Sequence, residues 1–274
     1  MRSSTSLRLV TPAAGADLAE SLARAASRQV RVELRTSVPD EESRWVNCAA
    51  LLADPAAMDR WRADLAGWLR DTYGASPNRV INGYLMSWYL FVPGYLAALL
   101  FHHERRVPSL RADQLSFRMA RPRPHPEAIA VHHQRFVCLP DDPAAGTPNA
   151  TVVADERALA AVLRGRFTAH ASRFVAAFEP TVRFGRRTLW AAATDALDGG
   201  LWLAGRYGGD EAAGVLDAAL VLPDRQAPLT SPSTLRAVRD ENGHTCWTRR
   251  RESCCFHYLL DRGQGECTTC PRVC

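Results

Sequence analysis

Apolar residues recur at helical spacing through most of the chain and give way to alternation only briefly. Met58, Trp61, Leu65, Trp68 and Leu69 fall three and four apart, the period of one helix face. Asp54 ahead of them is a natural N-cap, Pro55 suits the first helical position and Gly74 stops the run. Residues 12–30 read as an earlier arginine-rich helix, followed by an extended piece from Val30 to Leu34. Ser76-Pro77 opens another helix by the same logic and runs into Tyr84 to Phe101, 18 residues without a charge and with Pro93-Gly94 at the centre. That length is barely enough to span a bilayer, so the expectation is a buried core helix and no integral membrane span. Trp88, Tyr89 and Tyr95 then belong to the core or wall an apolar pocket.

From Arg121 the pattern changes. Arg-Pro-Arg-Pro-His-Pro excludes helix, and Ile129 to Leu139 alternates like a strand, which places a small antiparallel sheet here. Asp155 caps a helix, and residues 166–179, 186–204 and 209–221 continue as a helical run. A proline-rich connector, Pro223 to Pro232, leads to Thr234–Arg239 and the end of the chain. The expected fold class is α+β and mainly helical. Residues 1–233 form a helical body, and residues 234–274 a cysteine-rich segment with too few apolar residues to fold alone.

Composition narrows the function classes. With 47% apolar residues in 274, a packed core is within reach. The formal charge of +5 rests on arginine, since no lysine occurs. The arginines are scattered, not striped, which argues against a nucleic-acid surface and for an acidic protein partner or an anionic small molecule. Met1 to Leu18 lacks an apolar core of signal-peptide length. The expected compartment is the cytoplasm, where thiols stay reduced and dense cysteines point to a metal more than to disulfides.

Five of the eight cysteines fall in the last 21 residues: Cys254-Cys255, eleven residues, Cys267-Thr-Thr-Cys270, then Cys274. Cys267-x-x-Cys270 is the short bite that sets two thiolates on one metal. Phe256 to Leu260 suits a short strand, and Asp261 to Gly265 a reversal that returns Cys267 to the adjacent pair. In a regular strand neighbouring side chains point apart, so Cys254 and Cys255 both ligate only where the backbone bends. The spacing favours a two-iron cluster, with zinc and a redox dithiol as alternatives. Arg249, Arg250 and Arg251 precede the pair and are either a solvated basic run or cations beside a negatively charged centre. Cys48, Cys138 and Cys246 read as core or surface residues. His244 and His257 read as solvated or supporting groups, and the pairs His102-His103 and His132-His133 are assigned no chemistry.

Arg-Arg-Glu-Ser-Cys254-Cys255-Phe-His-Tyr followed by Cys267-Thr-Thr-Cys270-Pro resembles the C-terminal signature of the FhuF-like ferric siderophore reductases. The spacer here is eleven residues where that family has about ten. The resemblance implies Cys254, Cys255, Cys267 and Cys270 as ligands of a 2Fe-2S cluster, with Cys274 left over. It implies one-electron reduction of a ferric siderophore, most simply of hydroxamate type, to release Fe(II), in the cytoplasm. No GxGxxG follows a strand, so the electrons are expected from a separate ferredoxin or flavoprotein. Two competing readings are a zinc-stapled binding protein without turnover and a 2Fe-2S electron-transfer protein whose acceptor is another protein. Trp190, Arg186 and Arg187 are the first places to look for a docking surface.

Overall fold

The computed structural model describes residues 17–39, 44–260, 265 and 267–272. Helix α1 (Leu18–Ser27) starts where the Asp17 carboxylate accepts from the Glu20 N–H. Strands β1 (Glu33–Arg35) and β2 (Trp45–Asn47) follow, and Asn47 caps the short α2 (Cys48–Ala53). Helix α3 (Pro55–Tyr73) has both ends that its sequence dictates: the Asp54 side chain accepts from the Ala56 N–H, and Gly74 adopts φ 80°. Helix α4 (Asn78–Glu104) starts one residue beyond the Ser-Pro expectation, because Pro77 takes the cap position. The Ser76 hydroxyl accepts instead from Arg70.

Strands β3 (Val107–Pro108), β4 (Leu115–Met119), β5 (Pro126–Val131), β6 (Phe136–Cys138) and β7 (Ala150–Val152) occupy the middle of the chain. The single strand expected over 129–139 is therefore two, β5 and β6, which belong to different sheets. One sheet has the order β1-β5-β4-β2. Its β2–β4 and β4–β5 pairs are antiparallel, as expected, while β1 joins β5 in parallel, Glu33 opposite Ala128. The parallel edge follows from the long connection, since α3 and α4 lie between the two strands and a parallel neighbour needs such a crossover. The order β3-β6-β7 makes a second small sheet.

Helices α5 (Glu156–Phe178), α6 (Arg186–Gly208) and α7 (Glu211–Val221) complete the body, and β8 (Leu235–Arg239) pairs with β9 (Thr245–Arg249) as a hairpin. Helix α4 is long and apolar enough to cross a membrane by composition, yet 78% of its most apolar window is buried inside the fold. It crosses α6 where a Cβ on Gly200 would stand 3.1 Å from the Gly94 carbonyl oxygen. Only glycines permit that approach. Tyr89, Phe174 and Phe178 stack beside the crossing, with centroids 4.6 and 4.9 Å apart. Each such side chain contributes about 1.5–3 kcal/mol by leaving water, so the α4–α6 crossing is the stiff frame on which everything C-terminal is laid.

Candidate metal centre

The cysteine-bearing segment lies against α4 and α6. The Phe256 ring stacks on Phe184 at 5.3 Å, and Leu260 is buried. The strand expected over 256–260 is a 3-10 turn at His257–Leu259. Phe256 itself takes φ 60° and ψ 17°, so the chain turns immediately after Cys255, and among the described residues no strand pairs with it. That left-handed residue sets where the chain goes after the vicinal pair. Of the reversal expected over 261–265, Gly265 has φ 72°; residues 261–264 and Cys274 lie outside the described residues.

The bend aims amide and thiol groups at one another. The Phe256 N–H donates to Cys254 Sγ at 3.3 Å. Burial raises the Cys254 pKa most, the Phe256 N–H opposes this, and the charges of Cys255 and Cys270, together with a hydrogen bond to Cys270, raise it further. The Cys270 N–H donates to the Cys267 carbonyl at 2.9 Å, closing the turn of the short bite, and the Arg251 N–H donates to the Thr269 carbonyl at 3.0 Å. That last bond ties the strand before the vicinal pair to the loop that carries the second two cysteines. Cys255 and Cys267 both act on the Arg251 guanidinium. Burial disfavours its charge, but Asp195 and these two thiolates outweigh that, and its pKa lies above the ordinary value. Among the described residues no three His, Cys, Asp or Glu side chains converge tightly enough for one ion. Cys254 is acted on by Cys255 and Cys270, and Arg251 by Cys255 and Cys267.

Polar clamps fix this segment to the frame. Asp195, buried in α6, accepts from the Glu252 N–H at 2.9 Å, the Ser253 N–H at 2.7 Å and the Ser253 hydroxyl at 2.6 Å. Arg249 donates to the Asp195 carbonyl oxygen at 2.7 Å and lies 3.7 Å from Asp198. Asp198, one helical turn on, accepts from the Ser233 and Thr234 hydroxyls at 2.7 and 3.0 Å. Burial raises the Asp198 pKa against the pull of Arg249 and those hydroxyls. On the α4 side Tyr84 shares a hydrogen bond with His257 Nδ1 at 2.7 Å. The Tyr84 pKa is raised, first by burial and then by the charge of Cys255.

Two glycines make room. A Cβ on Gly83 of α4 would stand 2.9 Å from the Cys255 carbonyl oxygen, and one on Gly199 of α6 would stand 2.7 Å from the Arg249 guanidinium. The backbone of the vicinal pair thus rests directly on α4, and Arg249 lies flat on α6. Arg249 and Arg251 turn inward while Arg250 is exposed. The basic run is therefore two half-buried cations and one solvated one, the alternation of an extended chain.

A cleft of about 510 Å³ opens beside this segment, between α4 and α6. Arg249, Arg251 and Ser253 form its inner end, and Trp88, Arg31 and Arg123 stand in its walls. Sequence reasoning missed Asp195, Asp198, Tyr84, Arg31 and Arg123. The signal for the first two was present: a pair of acids three apart on a helix otherwise lined with Ala and Leu. The expected docking positions are not in the cleft walls. Trp190 is buried, because it belongs to the packed face of α6, and Arg186 pairs with Glu179 at 3.0 Å. Arg187 is exposed.

Cys48 and Cys138 are buried, and burial pushes their thiols up to about 12 and about 11; Cys246 is exposed on β9. His102 pairs with Asp217 at 2.7 Å, a partner 115 residues away that spacing did not reveal.

Residues 251–272 match the FhuF 2Fe-2S C-terminal domain. The cysteine segment is FhuF-like. The match points to a 2Fe-2S cluster as cofactor and suggests a siderophore-iron reductase family. No curated protein matches the chain. The residues present fit such a centre: cysteine-bearing segments tied together by the Arg251 to Thr269 bond, an amide N–H on a sulfur, and a half-buried guanidinium to balance negative charge.

Proposed function

We propose that this protein is a ferric siderophore reductase that transfers one electron to an Fe(III) chelate and releases Fe(II). Cys254, Cys255, Cys267 and Cys270 are the ligands, carried by a 234–274 segment on a 1–233 body. The observation that carries the reading is the adjacency of the cysteine segment to an open cleft large enough for a small-molecule chelate. When bound, the cluster supplies one-electron redox chemistry. The protein's own groups do the rest. Asp195 and the Gly83 contact hold the vicinal cysteines against α4 and α6, Arg251 offsets negative charge among the thiolates, and Phe256 N–H polarises Cys254. Ferric iron held by hard oxygen donors loosens when reduced, because Fe(II) suits those donors less well. The reductant is a ferredoxin or flavoprotein in the cytoplasm.

Iron and sulfide analysis of anaerobically purified protein, with electron paramagnetic resonance after dithionite reduction, tests this. About two irons and two sulfides per chain are expected, with oxidation of the reduced protein by ferric chelates. Cys254→Ser and Cys267→Ser should lose visible absorbance and Cys48→Ser should keep it. Stoichiometric zinc in a colourless protein would end the reductase reading and leave a stapled binding protein. Oxidation by ferredoxin but by no ferric chelate would leave an electron carrier.

A further inference from the structure

We infer that the cleft beside the cysteine segment is the chelate-docking site and that it selects a net-negative ferric chelate, one with catecholate or carboxylate donors, over a neutral or cationic hydroxamate. This deepens the reductase reading and rests on it. Four arginines line the cleft, Arg31, Arg123, Arg249 and Arg251, against one carboxylate, Asp195. The inner two are balanced, since Arg249 and Arg251 lie within 4.0 Å of Asp195 and Arg249 also lies near Asp198. The outer two are not. Among the described residues neither Arg31 nor Arg123 has a carboxylate partner within ion-pair distance, and, unlike the other arginines without one, both line the cleft.

Both outer arginines are exposed, and both are held over aromatic rings that orient them towards the cleft. Arg31 lies 5.6 Å from the centroid of Phe91 and donates to the Tyr207 hydroxyl at 3.2 Å. The Arg31 backbone is pinned by Gln29, whose side-chain oxygen accepts from the Arg31 N–H at 2.7 Å. Arg123 sits 5.1 Å from Trp88 and 5.4 Å from Trp68. A guanidinium stacked on a ring can still offer edge N–H donors to planar anionic oxygens, and Arg31 spends one of its own on Tyr207. A ferric tris-catecholate carries a charge of about minus three, while tris-hydroxamate chelates are neutral or positive, so two uncompensated guanidinium groups discriminate by Coulomb attraction alone.

The test uses the cluster-loaded protein and gallium(III) chelates, which have the charge and shape of the ferric ones but accept no electron. Binding of gallium tris-catecholate, gallium citrate and a neutral gallium tris-hydroxamate is read by calorimetry at low and high salt. The negative chelates are expected to bind at least tenfold more tightly than the neutral one, with affinity falling as salt rises. Whichever negative chelate is tighter names the donor type. Arg31→Gln and Arg123→Gln should each weaken the negative chelates about fivefold and the neutral one less than twofold, with the visible spectrum unchanged. Equal or tighter binding of the neutral chelate, or spectrally intact double variants with undiminished affinity for the negative ones, overturns the proposal. Charge-ranked binding without oxidation of the reduced protein by ferric chelates supports the site and removes the reductase reading. Oxidation by ferric chelates that ignores both arginines does the reverse.

Discussion

The α4–α6 frame and the segment that follows β9 are held by different forces. The frame is apolar and close-packed, with Gly94 against Gly200 and stacked Tyr89, Phe174 and Phe178. The cysteine segment buries few apolar side chains, chiefly Leu260, and is fastened by carboxylate clamps from α6. Packing of the first kind is cooperative and insensitive to charge. Fastening of the second kind concentrates on a few groups, so single substitutions should release the segment while the frame stays folded.

The largest effect is expected at Asp195. In Asp195→Ala two backbone N–H groups and the Ser253 hydroxyl lose their acceptor, and Arg251 loses a carboxylate 3.8 Å away, a loss on the order of 3–5 kcal/mol for a buried hydrogen-bonded charge. Release of iron to a chelator should accelerate more than tenfold, while far-ultraviolet circular dichroism keeps the helical signal. Loss of helix and iron together would show that the two regions are one cooperative unit.

The frame should respond instead to acid. His170 is buried, shares a hydrogen bond with the Tyr89 hydroxyl at 3.0 Å and has its Nδ1 on the Leu110 carbonyl at 2.6 Å. Burial pushes its pKa down to about 4. With the folded value below the unfolded one, the unfolded chain binds the extra proton. Stability is therefore full above about pH 6.5 and falls towards pH 4, by on the order of 3 kcal/mol. Urea titrations of His170→Gln should show a flatter decline over that window than the unaltered protein; parallel curves would assign the acid sensitivity elsewhere.

Smaller effects test the seat of the segment. Gly83→Ala forces a Cβ against the Cys255 carbonyl and the Phe256 ring, at about 1–3 kcal/mol, and the expected readout is a shifted visible spectrum with little change in melting temperature. Gly199→Ala meets only the flexible end of Arg249. It should alter chelate binding more than cluster retention, and a spectrum perturbed as strongly as that of Gly83→Ala would contradict the idea that Arg249 serves the cleft.

How far the sequence reached follows from the range of each interaction. Helix α3 was legible to the residue, because Asp54, Pro55 and Gly74 act on the backbone beside them. The α4 core helix and the cysteine cluster over 254–270 were legible for the same reason, as local apolar density and local spacing. The pairing of the edge strand β1 was not legible, since its parallel partner β5 lies across two helices, and the strand expected after Cys255 became a turn, with Phe256 stacked on Phe184. Asp195 and Asp198 read as ordinary helical acids until α6 brought them beneath Ser253 and Arg249. Arg31 and Arg123 were two among many scattered arginines until the fold set them over Phe91 and Trp88 at the mouth of one cleft. The sequence by itself determined the helices, their caps and the thiol chemistry, all of which depend on neighbours a few bonds away. Only the tertiary structure decided what clamps that chemistry and what charge faces it, because those groups are brought together by packing between residues far apart in the chain.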